Sequence, residues 1–236
     1  MTADDVIDRL APLADDARAV FVRRVLGVAP GNYGEGDIVL GIPMPTLRSV
    51  ARTARGLPLD EVARLLESPV HEHRMTALVI LVERHRRAAR RDPAGAAVLA
   101  RFYLDHRAGV DNWDLVDVSA PDLVGGELLA GRRQALEDLA ASERLWDRRI
   151  AIVATYALIR AGEFGTTLAL CERFLDDPHH LMHKACGWML REVGKRDEDV
   201  LLDWVEEHRH AMPRTMLRYA LERIGPDRRA ALMAPA

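Results

Sequence analysis

The chain has 236 residues, 49% hydrophobic and 29% charged, a globular composition that excludes an intrinsically disordered chain. Only 5% are aromatic, which disfavours sandwiches and barrels built on aromatic cross-strand pairs. The net charge of −3 does not announce a nucleic-acid binder, although a basic face can coexist with a total near zero.

The longest apolar run, Ile150 to Ile159, is too short to span a bilayer and is interrupted by Thr155 and Tyr156. Cys171 and Cys186 are too few for a disulfide framework and lack metal-ligand spacing. The opening MTADDVIDRL is acidic and lacks the basic-then-apolar pattern of a secretory signal, so a reducing cytoplasm is the expected compartment. Lys184 and Lys195 are the only lysines, and every other cation is arginine. Genomic base composition accounts for much of that bias, and arginine also suits phosphate forks.

In chain order, Asp37 to Ile42 (DIVLGI) comes first, β-branched and flanked by glycine. With no partner strand visible, an extended loop is expected there. The segments VARLLESP, MTALVILVERHRRAARR, LVDVSAPDLV, RRIAIVATYALIRAG and WMLREVGK then place apolar residues at helical spacing. Pro69, Pro178 and Pro213 fall where helices should begin, Asp111 or Asn112 caps another start, and Ser142-Glu143 opens a further one. Long helices are therefore expected from near residues 70, 111, 143, 178 and 212, each followed by a shorter one. Those starts recur at about thirty to forty residues, the period of paired-helix repeats. One all-α domain over residues 1–236, a curved solenoid of antiparallel helix pairs, is the expected architecture.

Several patterns carry little chemistry. His179 and His183 lie four apart with no evident third ligand, which favours solvated histidines over a metal site. His71-Glu72-His73-Arg74 is too compressed for a zinc-protease helix. Gly34-Glu35-Gly36-Asp37 lacks the lysine of a phosphate loop, so close approach to a neighbour is the simpler explanation.

Three constellations carry more. In Asn112-Trp113-Asp114-Leu115-Val116-Asp117, Trp113 and Asp117 share a helix face. Leu145-Trp146-Asp147-Arg148-Arg149 opens an otherwise apolar helix. Trp188 and Arg191 share a face just after Gly187, whose mid-helix position costs about 1 kcal/mol against alanine and implies a packing or approach role. Singly, each tryptophan suits a core and each Asp–Arg pairing a contact between repeats. Jointly, two aromatics, a carboxylate and an arginine could cradle a cationic or sugar-like group.

At these residues the sequence resembles the AlkD family of DNA alkylation repair proteins, which are HEAT-like helical arrays. The resemblance begins near Tyr33 and runs through Gly36-Asp37, Gly41-Ile42-Pro43, Leu47-Arg48 and His71-Glu72 with Arg74. It continues through Trp113-Asp114-Leu115-Val116-Asp117, Trp146 with Arg148-Arg149, Lys184-Ala185 with Gly187-Trp188, and Leu190-Arg191-Glu192. Met212-Pro213-Arg214-Thr215 and Leu217-Arg218-Tyr219-Ala220 close it. The resemblance implies a monomeric, monofunctional glycosylase that releases cationic N3- and N7-alkylpurines from double-stranded DNA without extruding the base.

By the same resemblance the catalytic carboxylate is Asp117, the sugar-facing aromatics are Trp113 and Trp188, and Arg149 contacts phosphate. Further DNA contacts are expected from Arg148, Lys184, Arg191, Arg214 and Arg218. No metal, nucleotide or redox cofactor is implied. A non-catalytic helical-repeat module that binds distorted or branched DNA is the alternative.

Overall fold

A computed structural model describes residues 1–234. Among these it contains α-helices and short 3-10 turns but no strand, so the expected all-α class holds. The helices are α1 (Ala3–Leu10), α2 (Asp16–Val25), α3 (Met44–Thr53), α4 (Leu59–Leu66), α5 (His71–Ala88), α6 (Pro93–Asp105) and α7 (Trp113–Leu129). They continue with α8 (Gln134–Ala141), α9 (Leu145–Ala154), α10 (Tyr156–Ala161) and α11 (Gly165–Arg173). The last are α12 (His180–Gly194), α13 (Glu198–His208), α14 (Arg214–Ala220) and α15 (Pro226–Met233). No helix among the described residues is long and apolar enough to cross a membrane. The chain divides into two compact units, Met1–Leu123 and one from Val124 onward, the division falling within α7.

In the first unit α5 is the central element. Every residue from His71 to Val82 is buried, and α3, α4 and α6 pack around it. A helix enclosed on all sides has no polar face, which is why four polar residues at its start, His71 to Arg74, must find partners inside the protein. Asp37 to Ile42 is extended, as its composition indicates, and touches α5 through one isolated parallel bridge, Ile38 to Val70. Gly34 belongs to the preceding turn, where a Cβ would lie 2.4 Å from the Leu26 carbonyl oxygen and 3.2 Å from Asn112 Nδ2. The glycine-rich stretch is thus a site of close approach.

In the second unit α9 and α12 form the middle, with α12 also packed on α11, α13 and α14. Gly187 explains the tight α12–α14 contact, because a Cβ there would meet the Met216 carbonyl oxygen at 2.5 Å and Tyr219 Cβ at 2.6 Å. Gly187→Ala should therefore lower stability by about 2 kcal/mol in denaturant unfolding, the clash outweighing the gain in helix propensity. A variant more stable than the parent would show that α14 simply moves away.

Three expectations need correction. The prolines do not occupy first helical positions: Pro69 and Pro178 precede the N-caps Val70 and His179, and Pro213 is itself an N-cap. The side chain two residues before the N-cap accepts the N-cap amide in each of the first two turns, so the intervening residue needs no donor and proline fits. The helix from 145 is interrupted at Thr155, whose hydroxyl donates to the Ile152 carbonyl at 2.7 Å and diverts the backbone before α10. The helix expected to be long from 212 is the seven-residue α14.

Candidate active site and its supporting network

The turns that launch α5, α9 and α12 share one hydrogen-bond design. Before α5, Ser68 Oγ accepts from the Val70 amide at 3.1 Å and the Ser68 carbonyl accepts from Arg74 at 2.8 Å. Before α9, Ser142 Oγ accepts from the Arg144 amide at 3.1 Å and its carbonyl from Arg148 at 3.1 Å. Before α12, Asp177 Oδ1 accepts from the His179 amide at 2.9 Å, and His183 Nε2 lies 2.6 Å from the Asp177 carbonyl oxygen. A side chain six residues past the turn thus caps its carbonyl in each case.

The same guanidinium groups reach onward to the next acidic turn. Arg74 binds Asp111 at 3.1 Å, and Arg148 binds Asp177 at 2.7 Å. Asp111 is therefore the counterpart of Asp177, and six residues beyond it stands Asp117. A carboxylate cannot donate to a carbonyl, so Asp117 departs from the capping pattern of the other three turns.

The start of α7 is held differently. Asn112 Nδ2 donates to the Leu26 carbonyl at 3.0 Å, and Asn112 Oδ1 accepts from the Trp113 amide at 2.8 Å. Trp113 packs partly buried against a small cluster of Ala19, Leu26 and Val39, flanked by Val22 and Val28. Leu115 and Val116 point into the core, as their spacing indicates, while Trp113 and Asp117 remain half-buried.

A second network, which the sequence pattern did not single out, lies directly behind this turn. Buried His71 places Nδ1 3.1 Å from Asp37 and Nε2 2.8 Å from Asp114. Arg74 bridges Asp37 and Asp111. Burial of the imidazole pulls its pKa down, but the hydrogen bonds and charges of Asp114 and Asp37 override that, and it is pushed up to about 9. Burial likewise raises Asp37, yet His71 and Arg74 hold its carboxyl below the usual range. Buried Glu72 accepts from the amides of Leu40 at 2.9 Å and Gly41 at 2.7 Å, seating the extended loop. The signal for this network was available in His71-Glu72-His73-Arg74: four polar residues opening a helix that is otherwise buried.

In the second unit, Arg149 is buried and donates to the Leu181 carbonyl at 2.8 Å, tying α9 to α12. Trp188 is half-buried, its ring centre 6.3 Å from that of Tyr156 and its Nε1 donating to Glu192 at 3.2 Å. Trp146 belongs to the core. Arg148 is engaged with Asp177 and the Ser142 and Glu143 carbonyls, and Arg191 with Glu222, so both make contacts within the protein. Lys184 is half-buried, whereas Arg214 and Arg218 are exposed. His179 and His183 are not simply solvated: each takes part in the α12 turn, His179 Nδ1 accepting from the Leu181 amide at 3.2 Å. Among the described residues no group of three or more His, Cys, Asp or Glu side chains could hold a metal ion.

A solved structure described as a predicted DNA alkylation repair enzyme from Enterococcus faecalis has the same fold, with a TM-score of 0.69. It is 13% identical, and the match covers 90% of this chain and 97% of that one. No curated protein matches the sequence. The family model for DNA alkylation repair enzymes matches residues 6–224, reaching well ahead of Tyr33, where the motifs alone set the start of the resemblance. The chain belongs to the DNA alkylation repair enzyme family, and its role is in the repair of alkylated DNA.

Proposed function

We propose that this protein is a DNA glycosylase that excises cationic N3- and N7-alkylated purines from duplex DNA by hydrolysing the N-glycosidic bond, without a cofactor. The observation that carries the reading is Asp117. In the three comparable turns the residue at this step is an arginine or histidine that caps a carbonyl. An aspartate there forgoes that stabilising bond, and it does so four residues from a half-buried tryptophan on the same helix face.

The chemistry suits these residue types. An alkylated purine already bears positive charge, so it departs with the electron pair of its bond to C1′ and needs no general acid. The sugar acquires oxocarbenium character, as in glycoside hydrolysis generally. The Asp117 carboxylate stabilises that charge and orients the water whose oxygen bonds to C1′ and whose proton passes to the carboxylate or solvent. The indole face of Trp113, on the same helix face as Asp117, adds cation–π attraction of about 0.5–2 kcal/mol. Lys184, Arg214 and Arg218 serve the DNA backbone, whereas Arg149, buried against the Leu181 carbonyl, holds α9 to α12 instead of meeting phosphate.

The test is a duplex carrying one N7-methylguanine, incubated with the protein and then cleaved with alkali. Strand cleavage well above spontaneous depurination is expected. Binding of the duplex with no release above that background would overturn the enzyme in favour of a non-catalytic DNA-binding module.

A further inference from the structure

We infer that His71 is a positioning residue: as an imidazolium gripped by Asp37 on one side and Asp114 on the other, it locks the first turn of α7 and so aims Trp113 and Asp117. This deepens the glycosylase reading and rests on it for its catalytic consequence.

The geometry requires the charged form. Both ring nitrogens face carboxylate oxygens, at 3.1 Å and 2.8 Å. A neutral imidazole has one donor and one lone pair, so one of those contacts would set a lone pair against a carboxylate. Only the imidazolium donates to both. The groups around it are Asp37 of the extended loop, Asp111 and Asp114 at the start of α7, and Glu72, His73 and Arg74 of α5 itself. Arg74 supplies a second grip through Asp37 and Asp111, so consecutive charged anchors bracket Asn112 and Trp113.

The lever is short. Asp114 adjoins Trp113 in the chain and precedes Asp117 by three residues, less than one helical turn. Its Oδ1 also accepts from the Leu115 amide at 2.9 Å, so a shift of this carboxylate carries the helical backbone with it. The imidazolium pKa of about 9 keeps the grip closed through neutral pH. Because that value lies above the ordinary one for histidine, the grip stabilises the fold fully below about pH 6.5 and is lost as pH rises through about 9.

The experiment compares the full-length protein with His71→Gln and Asp114→Asn. Hydrogen exchange at neutral pH reads the amides at 116–119, and single-turnover excision and duplex affinity are measured in parallel. His71→Gln should speed exchange at those amides by about tenfold relative to α6. It should slow excision by about 10²-fold, the scale of a small misplacement of reacting groups, with little change in affinity. Asp114→Asn should show the same pattern at smaller size. Excision by the parent should fall as pH passes about 9, and His71→Gln should lack that inflection.

Unchanged exchange at 116–119 in both variants would overturn the inference. So would exchange accelerated equally throughout Met1–Leu123, since that is general destabilisation. If His71→Gln does not fold, Asp114→Asn decides. If the parent releases no alkylpurine, the glycosylase reading fails while the exchange measurement still judges the grip.

Discussion

Asp117→Asn should reduce single-turnover release of N7-methylguanine by about 10²-fold or more while leaving duplex affinity equal or slightly improved. The substitution keeps size and shape and removes only the negative charge that an oxocarbenium-like sugar would feel. In the ground state a carboxylate near phosphates is mildly repulsive, so its loss does not weaken binding. The alternative is that Asp117 only braces the helices. That role gives a different pair of outcomes: a lower melting temperature with activity per folded molecule unchanged. Melting temperature measured beside excision separates the two. A stable and fully active Asp117→Asn protein would remove the residue from the chemistry.

Arg148→Ala should destabilise the fold by about 3–5 kcal/mol, the range for removing one partner of a buried ion pair. Its partner Asp177 has a side chain only 3% exposed, so truncation leaves a carboxylate buried without its counter-charge. The same change frees the carbonyls of Ser142 and Glu143 from their donor. Binding should respond differently. Because Arg148 is engaged within the protein, its loss should leave the salt dependence of duplex affinity unaltered. Arg214→Ala and Arg218→Ala, at exposed positions, should each flatten the log–log slope by about 0.9 if they meet phosphates. Denaturant unfolding and titrations at several salt concentrations check both parts. An unaltered stability with a flattened slope for Arg148→Ala would reverse the assignment.

Arg148 also marks where reading along the chain stops. The cation is visible in Leu145-Trp146-Asp147-Arg148-Arg149, but its partner lies 29 residues away. Nothing in the local pattern distinguishes an arginine facing phosphate from one facing Asp177. Arg191 is the same case, engaged with Glu222 at a separation of 31 residues. Trp113 and Asp117 were legible because their relation is a helix spacing, which four residues suffice to define.

The sequence by itself determined the all-α class, helix starts near 70, 111, 143, 178 and 212, each within two residues of the observed ones, and the shared face of Trp113 and Asp117. Each of these follows from periodicity and capping, interactions whose range is a turn or two of chain. It also required a reason for a glycine inside α12, since glycine there is costly without one. Tertiary structure alone decided what that reason was, an approach to Met216 and Tyr219 too close for a Cβ. It alone decided that His71 would sit between Asp37 and Asp114, residues 34 positions before it and 43 after it. A buried charge is stable only where opposite charges converge on it, and that convergence is made by packing helices distant in the chain.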